Sequence, residues 1–137
     1  MAFFEWKKEY ETGVKGVDDD HRFLVSLIDE MSVALSQGVA QDLLHKTVYK
    51  LADYARFHFK REENYMQMID YSEQFKHEIE HRAFTKKVEE FVAKLDSGEG
   101  NLTHEVLVFL RDWLINHIQK TDKQLGIELV KHGLKDE

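Results

Sequence analysis

The amino-acid sequence predicts an all-α protein, an up-and-down four-helix bundle with an N-terminal arm and a short C-terminal helix. Three observations predict it. The 137 residues include no proline and only seven glycines, so little in the chain stops a helix once it has started. Apolar residues recur in alternating steps of four and three along several segments, the spacing of a seam that faces a bundle core. Turn signals at Gly38 and at Ser97-Gly98-Glu99-Gly100-Asn101 separate those segments, and short connections make antiparallel neighbours. The length suits a single domain over residues 1–137 with a core of its own.

Residues 1–17 show no sustained period but carry Phe3, Phe4, Trp6, Tyr10 and Val14. That is too much apolar surface for a disordered tail, and an arm packed against the domain is expected. Asp18-Asp19-Asp20 supplies capping and first-turn carboxylates to a first helix, where free backbone N–H groups and the positive dipole end favour them. This helix runs to about Gln37, turns Leu24, Ile28, Met31 and Leu35 inward, and stops at Gly38. A second, from about Gln41 to Met66 or a little beyond, has the seam Leu44, Val48, Leu51, Ala55, His58, Glu62, continuing through Tyr65 to Ile69. A third, from about Ser72 to Leu95, repeats the steps with His77, His81, Phe84, Val88, Phe91 and Leu95. Asn101 is a reasonable cap for a fourth, which carries Leu102, Val106, Leu110, Leu114 and His117; a short final helix follows from about Asp122 to His132.

Composition removes several function classes. The formal net charge is -7, from 19 basic and 26 acidic residues, which disfavours nucleic acid or an anionic membrane as partner. The Lys60-Arg61 and Lys86-Lys87 pairs read as solvated faces. With no cysteine, disulfides, thiolate nucleophiles, iron–sulfur clusters and Cys-based zinc sites are excluded. No apolar run approaches the roughly 18 residues of a membrane span, and the N-terminus turns charged before a signal-peptide core can form. A cytoplasmic monomer without membrane insertion is expected.

The polar residues on the seams carry the functional signal. A polar side chain at such a position loses water, at a cost of roughly 1–3 kcal/mol for an unpaired neutral group and more for a charge. This sequence nevertheless places His21, His58, Glu62, His77, His81 and His117 at or beside seam positions of all four helices. Residues four apart lie roughly 40° apart around a helix and about 6 Å along it, so His58 and Glu62 aim into one space, as do His77 and His81. Alternating helix direction brings all of them to the same end of the bundle. Asp122 lies five residues beyond His117, a spacing that an ideal helix rotates well away; it joins only if the helix loosens or bends, and Gly126 is compatible with a weakened end.

Packed together without a cation, these groups leave donors, acceptors and charge poorly matched, and a metal supplies the missing partner. Seven ligands exceed the needs of one zinc or iron, so two metals are indicated. Carboxylates bridge and imidazole nitrogens normally do not, which makes Glu62 and Asp122 the bridge candidates. The ligand types suit iron, with zinc, cobalt and manganese also compatible. Glu63 turns off the seam and has no such role. His45, His104 and His132 read as surface or boundary residues.

The pattern His21 … His58-x-x-x-Glu62 … His77-x-x-x-His81 … His117-x-x-x-x-Asp122 resembles the complete ligand signature of the hemerythrin family. The lead-in Phe4-Glu5-Trp6, Tyr10, Thr12-Gly13-Val14 and Asp18-x-x-His21 is similar to that of single-domain bacterial members. The resemblance implies two non-haem iron ions with an oxygen bridge, and dioxygen as ligand. It assigns His77, His81 and His117 to one iron and His21 and His58 to the other, with Glu62 and Asp122 bridging. The second iron keeps the open position at which dioxygen binds.

An apolar pocket is expected independently, from Trp113 and Leu114 one turn before His117, Ile118 after it and Phe59 after His58. Such a wall excludes water and offers few protons. With the resemblance, reversible dioxygen binding for transport, storage or delivery to an oxygen-consuming protein is the leading expectation, and an enzyme is not. The competitors are a di-iron enzyme with oxidase, peroxidase-like or nitric oxide-scavenging activity, and an oxygen sensor acting through a separate partner. Oxidases of ferritin-like type use Glu-x-x-His pairs and more carboxylates. The chain runs only about fifteen residues past Asp122, too few for an attached output domain.

Overall fold

The computed structural model describes residues 6–98 and 102–134, leaving the side chains of residues 40–42 undescribed. Phe3, Phe4 and the expected cap Asn101 lie outside the described residues. Among those described there is helix and no strand. After a short 3-10 turn, Lys8–Tyr10, come α1 (Lys15–Ser36), α2 (Ala40–Met68), α3 (Gln74–Asp96) and α4 (Thr103–Trp113), then a π-helical segment (Leu114–Asp122) that runs straight into α5 (Lys123–Lys131). Consecutive helices pack as α1 on α2 and α2 on α3, and α4 closes the ring against α1. Phe109 meets Phe84 and Phe91 of α3, with ring centroids 5.0 and 5.7 Å apart, and completes the closure. The expected four-helix bundle is present.

The predicted seams are buried nearly throughout. Leu44, Val48, Leu51 and Ala55 of α2 line the core, as do Phe84, Val88, Phe91 and Leu95 of α3 and Val106 and Leu110 of α4. Leu35 is the exception on α1: it is 47% exposed, and Ala34 takes the inward place. Tyr65 and Ile69 are only partly buried, Met66 filling the inward position between them.

Two expectations about helix ends are corrected. The first helix begins at Lys15, a turn ahead of the acidic triplet, with Val14 at its cap position and no capping side chain. Asp18 instead reaches back to the arm, accepting from the Thr12 N–H at 2.8 Å and the Thr12 hydroxyl at 2.7 Å. The expected short final helix is present as α5, and the π segment joins it to α4 without a break, Leu114 and Lys123 at its ends being helical. Gly126 does not mark a frayed end. It is buried, and a Cβ there would collide with the Thr12 carbonyl oxygen and lie 2.7 Å from the Thr12 Cβ. Glycine lets the arm's backbone cross the helix at contact distance.

The ends of α1 and α2 show why the connections can be short. Gly38, at φ 76°, carries the chain out of α1 while Val39 N–H bonds back to the Ala34 carbonyl at 2.9 Å, a Schellman closure. Asp70 does the same for α2 at φ 51°, with Tyr71 N–H on the Met66 carbonyl at 2.9 Å.

The apolar interior falls into two parts. The main core fills the bundle from Leu24 and Leu44 to Trp113 and Ile118. A second, smaller cluster of Val14, Val17, Met66, Tyr71, Leu125 and Leu129 closes one end. On α1 the order along the chain is Val17, His21, Leu24, and on α2 it is Ala55, His58, Glu62, Met66. The polar seam residues thus form a layer between two apolar plugs.

Candidate metal centre

Every sequence-predicted ligand reaches this layer. His21 comes from α1, His58 and Glu62 from α2, His77 and His81 from α3, and His117 and Asp122 from the π segment. Each is at most 2% exposed. The π segment answers the question of Asp122. In an α-helix a residue five places on sits ~140° round the axis, whereas i→i+5 bonding widens the turn until such residues come into line. His117 Nε2 and Asp122 Oδ1 accordingly lie 2.9 Å apart.

The donor atoms divide into two sets that share the carboxylates. Glu62, His77, His81, His117 and Asp122 offer ligand atoms within 4.8 Å of one another, and so do His21, His58, Glu62 and Asp122. Glu62 Oε1 faces His77 and His81 Nε2 at 3.0 and 2.9 Å, while its Oε2 faces His58 Nε2 at 2.9 Å and His21 Nε2 at 3.6 Å. Asp122 Oδ1 faces His77 and His117 at 3.0 and 2.9 Å, and its Oδ2 faces His21 at 2.9 Å. One set has five donors and the other four, so the His21–His58 side has one protein ligand fewer.

Hydrogen bonding accounts for only part of this close approach: Glu62 Oε1 is bonded to His77 and His81 Nε2, but other donor atoms of the layer are not. Asp122 Oδ1, Asp122 Oδ2, Glu62 Oε2 and His117 Nε2 are buried and make no hydrogen bond despite their neighbours. His21 Nε2 and His58 Nε2 stand 3.1 Å apart, a pair of which two neutral nitrogens in the same role cannot satisfy each other. Atoms that converge without aligning on one another point to common centres between them. Imidazole and carboxylate donors in this arrangement fit two metal ions, and the donor types suit iron.

Charge within the layer tells the same story. Burial alone would lower the His58 and His77 pKa values, yet Glu62, Asp20 and Asp122 raise that of His58, and Asp122 and Glu62 that of His77, to about 10. The His21 and His117 pKa values also rise, burial being outweighed chiefly by Asp122. Burial would raise the Glu62 pKa, but His58, His21 and His77 hold it well below the usual range. Asp122 is likewise lowered, with burial and Glu62 opposing and His117 and His21 prevailing. Without metal, these carboxylates favour protonated imidazoles in the layer.

A ring of outer carboxylates, not anticipated from the sequence as part of the site, orients three of the histidines. His58 Nδ1 donates to Asp20 Oδ2 at 2.8 Å, His81 Nδ1 to Glu63 Oε2 at 3.0 Å and His117 Nδ1 to Glu80 Oε1 at 2.7 Å. Such bonds fix the tautomer that leaves Nε2 free for a metal. Asp20 also accepts from Arg61 Nε at 2.8 Å, and Glu80 from the Thr121 hydroxyl at 2.9 Å. Asp20 therefore serves α2 rather than capping α1, and Glu63, off the seam as expected, acts through His81. His21 and His77 have buried Nδ1 atoms without a hydrogen-bond partner. His45, His104 and His132 are exposed and lie apart from the layer.

The four residues expected to form an apolar wall are all buried. Phe59 stacks on His81, with centroids 4.0 Å apart and planes at 6°, and Trp113 stacks on His117 at 3.8 Å and 11°. Phe59 and Trp113 themselves meet at 5.7 Å. Leu114 and Ile118 are buried beside them in the main core.

Comparison with known proteins agrees with this geometry. A family model described as hemerythrin HHE cation binding domain matches residues 12–126. A bacteriohemerythrin of Clostridium acetobutylicum is 34% identical over 88% of this chain and 97% of its own. One of Methylococcus capsulatus is 32% identical over 92% and 96%. Myohemerythrin-1 of Phascolopsis gouldii is 27% identical over 87% and 88%. A crystal structure of wild-type hemerythrin superposes with a TM-score of 0.82 at 31% identity, covering 93% of this chain and 98% of that one.

Proposed function

Because the chain belongs to the hemerythrin family, we propose that it binds dioxygen reversibly at a pair of non-haem irons and stores, carries or delivers it. The observation that supports this most directly is the double use of two carboxylates, each presenting its two oxygens to different histidines. His77, His81 and His117 would hold one iron and His21 and His58 the other, with Glu62 and Asp122 spanning both. When bound, the iron pair supplies electrons that dioxygen takes up on binding and returns on release. The side chains do the rest. Asp20, Glu63 and Glu80 hold imidazole rings in orientation, while Phe59 and Trp113, stacked on His81 and His117, and the buried Leu114 and Ile118 keep water and protons from the layer.

Five neutral imidazoles and two carboxylates leave less negative charge than the carboxylate-rich centres of ferritin-like oxidases. This favours binding over oxidation of a substrate. A cytoplasmic monomer that passes oxygen to a consuming protein completes the proposal. Among the described residues, no helix is long and apolar enough to cross a membrane.

The test is to load the protein with iron, reduce it anaerobically and admit oxygen. Two irons per chain and a visible charge-transfer band that disappears under vacuum are expected. Full iron loading without reversible uptake would defeat the carrier reading and promote the enzymatic one.

A further inference from the structure

Two buried donors in the apolar wall are unused by the function described so far. Tyr54 lies one turn before His58 and stacks on its ring, with centroids 5.0 Å apart and planes at 17°. The residue is 5% exposed, and its hydroxyl is buried without a hydrogen-bond partner. Trp113 covers His117 on the five-donor side, and its indole N–H is buried and unpartnered too. The indole lies near enough to act on the phenol, but no hydrogen bond closes between them.

An orphaned buried hydroxyl is rare and unfavourable. A phenylalanine would fit among Phe59 and Phe84, whose rings are 5.9 and 6.0 Å from that of Tyr54, without that cost. Tyrosine at this place makes sense if an acceptor arrives from outside. The ring it covers belongs to the four-donor set, the side with one protein ligand fewer. A phenol carries its proton at neutral pH and can donate it to an acceptor. A cleft of about 270 Å³ between α1 and α2 has Tyr54 and His58 in its lining, with the exposed rings of Phe23 and Phe57 beside them. Asp20, Lys50 and Asp53 complete its lining, so a partly polar cleft lies against this side.

We propose that Tyr54 is a ligand-binding residue, its hydroxyl donating a hydrogen bond to a small acceptor, dioxygen or an anion such as azide, held at the open position beside His21 and His58. This rests on the di-iron reading above, and the test separates the two. Iron-loaded, oxidised protein and its Tyr54→Phe variant are titrated with azide, following the visible charge-transfer band, and oxygen release is timed on the reduced, oxygenated forms. The variant is expected to keep its iron and its thermal midpoint, to bind azide about tenfold more weakly, as loss of one hydrogen bond implies, and to release oxygen faster. Unchanged or tighter azide binding by the iron-loaded variant overturns the inference and leaves the function standing. So does loss of iron or of thermal stability with the azide affinity intact, which would make the hydroxyl structural. If the unaltered protein loads two irons and takes up neither azide nor oxygen, the function and this inference fall together.

Discussion

Glu80 joins two ligand-bearing elements through one oxygen. From α3 it accepts the Nδ1–H of His117 and the hydroxyl of Thr121, both on the π segment, and the His117 bond is the main cause of its lowered pKa. Glu80→Gln keeps the size but removes the charge that makes the imidazole a better donor. Metal affinity is expected to fall by roughly 10–100-fold, measured by competition with a chelator; an unchanged affinity would deny it an orienting role. Glu62→Ala acts one step nearer the metal. Since each Glu62 oxygen faces a different set of histidines, iron should be lost from both positions, and loss from one alone would argue against bridging. Six of the seven candidate ligands were legible because histidine and carboxylate are expensive on a bundle seam; Asp122 lay off it and joined only on condition that the helix loosen or bend. Asp20, Glu63 and Glu80 were not, since they lie off it and their partners are on another helix. Their only local mark is adjacency: Asp20 precedes His21, Glu63 follows Glu62, Glu80 precedes His81, and each serves a histidine of the following helix in the chain.

At the scale of elements, the helices themselves were read from period alone, and the seams of α2 and α3 landed in the core almost residue for residue. What periodicity could not supply is the π segment, whose i→i+5 bonding belongs to no repeating pattern and is held by what surrounds it. Asp122 needed the helix to loosen or bend, and the π segment is that loosening; Gly126 marks no weakened end. The glycine instead answers to the arm, which crosses at Thr12 and is tied down by Asp18 and by Lys123 Nζ on the Glu9 carbonyl at 2.9 Å. Gly126→Ala forces the Thr12 backbone away from the helix. Overpacking of this kind is expected to destabilise the fold by about 1–3 kcal/mol, read from denaturant midpoints of the metal-free protein. A variant as stable as the parent would show that the arm does not bear on α5 as described.

For the whole molecule, a charged layer between two apolar plugs makes folding, protonation and metal binding one problem. In the metal-free protein His58 and His77 have folded pKa values of about 10, above the ~6.5 of an unfolded histidine. Their contribution to stability is therefore complete below about pH 6.5 and disappears as pH rises toward 10. Glu62 and Asp122 are shifted the other way; their contribution is present above the unfolded carboxylate range near ~4 and is lost on acidification. The layer thus favours the metal-free fold most strongly between about pH 4.5 and 6.5. A cation needs these imidazoles neutral and must displace their protons, so its binding gains with pH over the same interval in which the metal-free fold loses. Thermal midpoints of metal-free and anaerobically iron-loaded protein, compared at pH 6, 7.5 and 9, should move apart as pH rises, the metal-free value falling. A gap that stays constant or narrows would mean that the imidazoles do not carry these protons when metal is absent.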